Sequence, residues 1–218
     1  MSKDLVIIGA GGFGREASLL VEDINKKSTG KKWNLLGFID EDITKRGLQM
    51  RGYPVLGGWE ALAGLHPAVE VICVFGDPQA MRKMVEKAGW QGKQFANLIH
   101  PEVSVSADVN LGEGVLINRG TILTTNLKIG DYVLINPGCG IGHDAVIGAY
   151  VTLMWHVNIS GAVRVGQGTL IGTGATVLQG LTIGENCTVG AGAVVTRNVP
   201  AGSTVVGVPA RPINKIDM

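Results

Sequence analysis

Residues 128–148 read KIGDYVLINPGCGIGHDAVIG, and the six-residue pattern in this stretch continues from it in both directions. Taking every sixth residue from Val105 to Val195 gives sixteen positions, and all of them are Val, Leu or Ile. A helix would spread such positions around its circumference, whereas a short strand followed by a turn keeps them on one face. Since one six-residue segment cannot bury its face alone, the repeat predicts a stack of short parallel strands.

A second position of the repeat lies two residues before the large aliphatic residue, and it favours small or β-branched side chains. Glycine often follows the aliphatic residue, as in Ile141-Gly142. The pattern predicts that the aliphatic side chains fill the interior and that the small residues pack near a corner where the chain turns. It assigns two of the three cysteines to the interior, because Cys139 and Cys187 both occupy the small-residue position.

The N-terminal part of the chain has a different pattern, which changes to the repeat at His100-Pro101. Alternating strands and helices of this kind predict a compact α/β unit over residues 1–100 with a mainly parallel sheet, followed by a repeat domain over 101–218. The predicted elements are strands at 5–8, 35–39, 69–75 and 95–99, a helix over 15–24 and a helix that begins at Pro78.

Composition limits the kinds of partner. The net charge is +1, and no block of like charge suggests a nucleic acid or an anionic membrane. The start of the chain does not resemble a signal peptide, no apolar stretch approaches the ~20 residues of a membrane span, and the three cysteines have no paired or metal-like spacing. We therefore expect a cytoplasmic protein without a metal site.

The turn after the first predicted strand has the pattern Gly9-x-Gly11-x-x-Gly14 and opens a helix, which suits a bound phosphate. NAD is one candidate ligand. Against NAD, the next acidic strand end, Asp40, follows Gly14 by 26 residues, which is late for a ribose-binding acid, and the unit is only about half of a dinucleotide fold.

The repeat resembles that of the hexapeptide acyltransferases. Four segments together resemble the NeuD-type sugar acyltransferases, which include N-acetyltransferases of nucleotide-linked 4-amino sugars. They are residues 8–16, 37–40, 141–144 and 207–211. The resemblance implies a small, half-Rossmann-like α/β domain followed by a left-handed parallel β-helix of roughly five coils. It also implies a homotrimer, with acetyl-CoA as co-substrate in the groove between adjacent subunits.

His143 is the candidate general base, because imidazole is well suited to take a proton from an attacking amine at neutral pH. In the resembling family the histidine of this segment is the base and the following acid its helper, here Asp144. In that family the residue one coil later supplies a backbone N–H to the thioester oxygen, which implies this role for Gly161. An exposed corner histidine and a plain turn glycine are the structural alternatives.

The resemblance also assigns binding residues. For the nucleotide sugar they are Gly11, Gly12, Phe13, Gly14, Arg15, Asp40, Glu41, Gly76, Asp77 and Asn136. For acetyl-CoA they are Thr152, Gly161, Gly172, Thr173, Gly190 and Ala191. Structural alternatives remain for several of them: Asn136 precedes Pro137 in what could be a corner turn, and the loop-end acids could be ordinary polar residues.

The chain departs from the family at residues 150–156, which read YVTLMWH where many members have a second histidine. That histidine is Thr152 here, which puts the contacts to the acyl donor in doubt. The leading hypothesis is transfer of an acetyl group to the amine of a UDP- or dTDP-linked 4-amino sugar. The alternatives are O-acetylation of a sugar hydroxyl, as for sialic acid, and a non-catalytic protein that binds nucleotide sugars.

Overall fold

The computed structural model describes residues 2–30, 32–89 and 91–213, and the chain forms two compact units, Met1–Pro101 and Glu102–Met218. Residues 214–218, the end of the predicted second domain, lie outside the described residues.

The first unit contains a five-stranded sheet flanked by helices, in the strand order β3-β4-β2-β1-β5. Its elements are β1 (Lys3–Ile8), α1 (Gly12–Lys27), β2 (Trp33–Ile39), a 3-10 turn (Ile43–Lys45), β3 (Gln49–Met50), β4 (Tyr53–Gly57), α2 (Trp59–Ala63), β5 (Glu70–Cys73), α3 (Pro78–Gly89) and β6 (Leu98–Ile99). Strand β1 pairs in parallel with β2 on one side and β5 on the other. The chain therefore changes direction across the sheet at β1, where α/β proteins bind ligands beyond the carboxyl ends of the strands.

Helix α1 buries the face that the sequence predicts, with Ala17, Leu20, Val21 and Ile24 all at most 5% exposed. Burying an aliphatic side chain of this size contributes about 1.5–3 kcal/mol, which fixes the helix against the sheet. The helix is longer than predicted at both ends: Gly12 to Gly14 are already helical at its start, and it continues to Lys27.

The hairpin of β3 and β4 is not predicted by the sequence pattern. Its turn residues, Arg51 and Gly52, both have positive φ angles (52° and 83°), and Arg-Gly is a weak turn signal compared with Asn-Gly. Pro54 within β4 further weakens the sequence signal for a strand, because proline is rare inside strands. Within the predicted closing strand over 95–99, Phe95 forms only an isolated parallel bridge to Val71, whereas Leu98–Ile99 forms strand β6.

The second unit is a left-handed β-helix, as predicted, built from fifteen two-residue strands. They are β7 (Asn110–Leu111), β8 (Leu116–Ile117), β9 (Ile122–Leu123), β10 (Lys128–Ile129), β11 (Leu134–Ile135), β12 (Gly140–Ile141), β13 (Val146–Ile147), β14 (Thr152–Leu153), β15 (Asn158–Ile159), β16 (Arg164–Val165), β17 (Leu170–Ile171), β18 (Thr176–Val177), β19 (Thr182–Ile183), β20 (Thr188–Val189) and β21 (Val194–Val195). Each strand from β7 to β18 pairs in parallel with the strand three further on, so the strands form three faces and residues eighteen apart stack from coil to coil.

The interior of the prism follows the repeat. Ile135, Leu153 and Ile171 are fully buried, and Cys139 and Cys187 are 1% exposed, as the sequence predicts. The prediction is wrong at the first position, since Val105 lies outside any strand and is 38% exposed. The physical reason is that the sheet to which Val105 would add ends at β9, so no further strand of the stack pairs with this position.

The corners of the prism share one backbone conformation. Every sixth residue from Gly114 to Gly192 has a φ angle between 53° and 74°. The glycine that follows the interior aliphatic residue is required for a different reason, the close approach of successive coils. A Cβ on Gly142 would lie 2.6 Å from the backbone nitrogen of Gly161, closer than real Cβ atoms come. This close stacking brings the corner residues of neighbouring coils into contact.

Two further strands, β22 (Thr204–Val206) and β23 (Arg211–Ile213), pair antiparallel at the C-terminal end of the prism. Among the described residues, no helix has the length and hydropathy of a membrane span.

Candidate functional site

His143 lies at an outward corner between β12 and β13, and its side chain is 64% exposed. Its imidazole lies against the backbone of Gly161, the residue stacked on it one coil later. A Cβ added to Gly161 would be 2.5 Å from Nε2 and 2.7 Å from Cε1 of His143. A side chain at position 161 would therefore displace the ring, which explains the glycine there.

Asp144 holds the other edge of the imidazole. Its Oδ2 lies 2.7 Å from Nδ1 of His143, and its Oδ1 accepts a hydrogen bond from the side-chain amide of Asn126 at 2.6 Å. The hydrogen bonds from His143 and, second, from Asn126 lower the pKa of the Asp144 carboxyl against a weaker opposing effect of burial. An ionised carboxylate only accepts hydrogen bonds, so it favours the tautomer with the proton on Nδ1 and the lone pair on Nε2.

Two groups at this corner have no partner among the residues that the structure describes. One is Nε2 of His143, and the other is the N–H of Gly161. The neighbouring backbone groups are engaged, since Ala162 donates to the carbonyl of His143 and Gly180 donates to the carbonyl of Gly161. The corner thus offers a base and a preset N–H donor side by side, the two elements that acyl transfer needs.

Two of the expected binding residues with polar side chains are buried in this chain. Asn136 is 1% exposed, and its side-chain amide donates to the carbonyl of Leu153 at 2.9 Å. Thr152 is also 1% exposed, within β14. Their burial favours the structural interpretation of Asn136 as a corner residue, and it argues against a contact between Thr152 and the acyl donor.

The remaining residues expected to bind acetyl-CoA lie at the next corner of the prism. Gly172-Thr173 and Gly190-Ala191 stack on one another eighteen residues apart, one corner away from His143. Gly172 has a packing role of its own, because a Cβ there would lie 2.6 Å from the nitrogen of Ala191. Within one chain these residues do not form a single site with His143.

The unusual residues 154–156 occupy the same corner as Thr173. Trp155 is 42% exposed, and the His156 ring lies over Gly138, one coil earlier. The ring centroids of Trp155 and His156 are 6.2 Å apart. These large side chains therefore fit the regular coil without an insertion.

In the first unit, the glycine loop joins β1 to the N-terminal end of α1. Gly9 has a φ angle of 109°, and a Cβ on Gly14 would overlap the carbonyl oxygen of Gly9. Among the described residues, none accepts a hydrogen bond from the N–H groups of Gly12, Phe13 or Gly14. The first turn of α1 has no acidic residue, so the positive end of the helix is uncompensated.

Asp40 supports this loop from the end of β2. Its carboxylate accepts from the N–H of Ala10 at 2.8 Å, from the N–H of Asp42 at 2.9 Å and from Lys45 at 3.0 Å. Burial alone would raise the pKa of Asp40, but these hydrogen bonds outweigh it and hold the pKa below its usual value. Asp40 is therefore a positioning residue for the loop, whatever else it contacts.

Beside Asp40 is a cavity of about 90 Å³ with an aromatic and apolar lining. Its walls include Asp40, Glu41, Trp59, Phe75 and Met84. The Nε1 of Trp59 donates to Glu41 at 2.5 Å. Lys87 also donates to Glu41 and lies 5.5 Å from the Trp59 ring centroid. These hydrogen bonds, from Lys87 first and then from Trp59, lower the pKa of Glu41.

The other expected residues of this unit have local roles. The Oδ1 of Asp77 accepts from the N–H of Ala80 at 2.7 Å, which makes Asp77 the N-terminal cap of α3. Gly76 has open space where a Cβ would stand, and Arg15 is exposed on the first turn of α1. The loops after β1, β2 and β5 nevertheless meet at one edge of the sheet, as parallel strands require.

Within the described ranges, no group of three His, Cys, Asp or Glu residues is placed to hold a metal ion.

Comparison with known proteins places both units in families. Residues 4–88 match the PglD N-terminal domain, and residues 162–197 match the bacterial transferase hexapeptide of six repeats. Comparison with curated protein sequences gives no match.

Solved structures match over almost the full chain. PerB of Caulobacter crescentus, in complex with CoA and GDP-perosamine, is 32% identical with a TM-score of 0.88, covering 97% of each chain. WeeI of Acinetobacter baumannii AYE is 32% identical with a TM-score of 0.85, covering 96% of this chain and 99% of that one. The acetyltransferase domain of PglB from Neisseria gonorrhoeae FA1090, in complex with acetyl coenzyme A, is 30% identical with a TM-score of 0.85, covering 98% and 100%.

The chain belongs to the hexapeptide-repeat acyltransferases. It is an enzyme of this family, and the alternative hypothesis of a non-catalytic binding protein is wrong.

Several residues at these sites of the acyltransferase escaped the sequence analysis. Asn126 precedes Asp144 by eighteen residues, so counting one coil backwards from the acid would have found it. Trp59, Phe75 and Lys87 come together only through the fold of the first unit, and no spacing in the sequence signals them.

Proposed function

We propose that this acyltransferase moves the acetyl group of acetyl-CoA to the amine of a 4-amino sugar linked to a nucleoside diphosphate. The observation that carries this proposal is the corner at His143. There an oriented imidazole with a free Nε2 adjoins a glycine whose N–H has no acceptor among the described residues.

His143 acts as the general base in this proposal. Nε2 takes a proton from the sugar amine as its nitrogen attacks the thioester carbonyl carbon. The carbonyl oxygen gains negative charge, and the N–H of Gly161 stabilises it; a donor of this kind is worth about 10²–10³ in rate. When the tetrahedral intermediate collapses, the C–S bond breaks and the imidazolium returns the proton to the CoA sulfur. The carboxylate of Asp144 stabilises the imidazolium while it carries that proton.

The first unit binds the nucleotide part of the acceptor. The N–H groups of the first turn of α1, which have no acceptor among the described residues, face the diphosphate together with the positive end of that helix, and Asp40 keeps the loop in shape. The nucleobase occupies the cavity beside Trp59 and Phe75, which offers aromatic surface and the carboxylate of Glu41. Asp40 and Glu41, which were expected to lie near the base or ribose, therefore share this cavity with aromatic side chains.

The acetyl-CoA site is completed by a second subunit of a homotrimer. Within one chain, His143 and the expected acetyl-CoA residues Thr173 and Ala191 lie at different corners. In a trimer of parallel prisms the corner of one subunit faces a neighbouring subunit, which would unite the two sets. Related structures with bound CoA or acetyl coenzyme A support the assignment of acetyl-CoA as the acyl donor.

The related perosamine N-acetyltransferase supports the acceptor class. It was crystallised with CoA and GDP-perosamine as variants in which one histidine is replaced by asparagine or by alanine. For the present chain, the hypothesis names UDP and dTDP as the nucleotides, and GDP is tested alongside them.

The test incubates the protein with acetyl-CoA and a panel of UDP-, dTDP- and GDP-linked 4-amino sugars, together with a hydroxyl-bearing acceptor such as sialic acid. Release of the CoA thiol and the mass of the product are measured. The proposal predicts thiol release and an N-acetylated product with at least one amino sugar. Turnover with the hydroxyl acceptor alone would establish O-acetylation instead. If NAD raised the melting temperature and none of the nucleotide sugars did, the first unit would be an NAD-binding domain.

A further inference from the structure

Asn126 lies at the corner one coil before Asp144 and reaches its carboxylate. Both residues occupy the left-handed corner conformation, with φ angles of 55° and 61°. The side-chain amide of Asn126 donates to Oδ1 of Asp144 at 2.6 Å, while Oδ2 of the same carboxylate faces Nδ1 of His143 at 2.7 Å. Each carboxylate oxygen therefore has its own partner, one on the preceding coil and one on the imidazole.

Asn126 is itself held by the coil before it. Oδ2 of Asp108 accepts from the N–H of Asn126 at 3.0 Å and from the hydroxyl of Thr125, and Oδ1 accepts from the hydroxyl of Ser106 at 2.5 Å. The hydrogen bond from Ser106, followed by those from Thr125 and Asn126, lowers the pKa of Asp108 to about 2. Asp108, Asn126 and Asp144 thus form a ladder at intervals of eighteen residues that ends on the imidazole.

The ladder matters because Asp144 is poorly restrained otherwise. Its side chain is 51% exposed, and a surface carboxylate beside a histidine gains little from that pair alone, since water competes and rotamer freedom is lost. The second contact, from the side chain of Asn126, whose backbone Asp108 holds on the neighbouring coil, favours one rotamer of Asp144. In that rotamer Oδ2 points at Nδ1.

We infer that Asn126 is a positioning residue for acetyl transfer, whose side-chain amide orients Asp144 so that His143 keeps its proton on Nδ1 and its lone pair on Nε2. The inference rests on the proposed role of His143 as the base. Asn126 touches neither the imidazole nor a reacting atom in this scheme, and it acts through Asp144 alone.

The test replaces Asn126 by glycine, which accepts the left-handed conformation and removes only the amide. Asn186→Gly is the matched control, because Asn186 has the same conformation (φ 53°) at another corner. We expect kcat of Asn126→Gly to fall about 5- to 10-fold, the loss that one ordinary hydrogen bond produces, with both KM values unchanged. The control should keep the kcat of the native protein.

A second readout does not depend on turnover. ¹⁵N NMR of the imidazoles reports which ring nitrogen carries the proton, and the signal of His143 is assigned by its loss in His143→Asn. The inference predicts a dominant Nδ1–H tautomer in the native protein and a larger Nε2–H share in Asn126→Gly. If that variant does not fold, Asn126→Asp replaces it, since it keeps the size and the tolerance of the left-handed conformation but has no donor.

An unchanged kcat together with an unchanged tautomer ratio would overturn the inference. A loss of kcat that Asn186→Gly shares would also overturn it, because the effect would then be structural. If the native protein acetylates no acceptor, the proposed function fails, and the tautomer ratio alone still decides whether Asn126 orients the imidazole through Asp144.

Discussion

The imidazole of His143 lies against the α-carbon of Gly161, one coil further along the prism. The pair places an imidazole nitrogen beside a backbone N–H, neither of which has a partner among the described residues, because residues eighteen apart stack. The six-residue repeat therefore builds the candidate catalytic corner as well as the fold.

Gly161→Ala should lower kcat about 100-fold, because the added Cβ would stand 2.5 Å from Nε2 of His143 and push the ring out of line. The turn itself tolerates alanine, since Ala149 and Ala191 occupy the equivalent position at other corners. The melting temperature should therefore change little. Steady-state kinetics and thermal unfolding check both expectations.

Ala149→Gly is the control for that variant, as the reverse change at the equivalent position of another corner. It should leave kcat unaltered. A Gly161→Ala enzyme that kept full activity would show that the position of the imidazole against Gly161 has no role in the reaction.

Two glycines of the phosphate loop should respond differently to alanine. Gly14→Ala should destabilise the first unit, because its Cβ would overlap the carbonyl oxygen of Gly9. Gly12→Ala has no such conflict and should unfold at the same or a slightly higher temperature, since alanine favours helix. Its methyl group adjoins the free N–H groups, so the KM for the nucleotide sugar should rise about 10-fold.

Thermal unfolding and the KM of each substrate separate these two effects. The KM for acetyl-CoA serves as the internal control in Gly12→Ala and should not move. Native KM values for both substrates in Gly12→Ala would show that the diphosphate does not bind at this loop.

Trp59→Ala should raise the KM for the nucleotide sugar by about 10-fold or more, as the loss of one aromatic stacking surface predicts, and leave kcat unchanged. Trp59→Phe keeps an aromatic ring but loses the donor to Glu41, so it separates stacking from the hydrogen bond. A small effect of phenylalanine and a large effect of alanine would assign the role to the ring. Equal, native-like KM values in both variants would exclude Trp59 from the binding site.

The stability of the first unit should depend on pH through Asp40. Hydrogen bonds hold its pKa in the folded protein below the unfolded value of about 4, so its contribution is complete above that pH and is lost as the pH falls through the folded value. Asp40→Ala should cost about 1–2 kcal/mol at pH 7, because Ala10, Asp42 and Lys45 lose a charged acceptor.

Chemical denaturation at pH 7, 4 and 3 checks this expectation. The difference in unfolding free energy between the native protein and Asp40→Ala should shrink as the pH falls, whereas Glu16→Ala, an exposed acid of α1, should show no such trend. A difference that stayed constant down to pH 3 would mean that the Asp40 carboxylate does not support the loop.

The sequence predicted those features that depend on a regular repeat or on local chemistry. The prism, the interior cysteines and the stacking of His143 on Gly161 all follow from counting in sixes and eighteens. The hairpin of β3 and β4 could not be predicted, because its turn has a weak signal and Pro54 breaks the strand pattern. Val105 shows the limit of counting, since the pattern does not reveal where the stack stops.

The site in the first unit was predicted only in outline. The glycine loop and Asp40 are recognisable because each follows a strand, but the hydrogen bond from the N–H of Ala10 to Asp40 depends on how β1 and β2 align. Trp59 and Lys87 meet Glu41 from two helices that are remote in sequence. Likewise, the burial of Asn136 and Thr152 is a property of the folded chain that the repeat alone does not specify.

The most direct test compares the native enzyme with His143→Asn in the release of CoA thiol from acetyl-CoA, using the best amino-sugar acceptor and saturating both substrates. Asparagine keeps the polarity of the corner but cannot take a proton at neutral pH. The account predicts that kcat falls about 10²–10⁴-fold, as expected when a general base is removed, while the melting temperature is retained. Full turnover by His143→Asn would contradict the account.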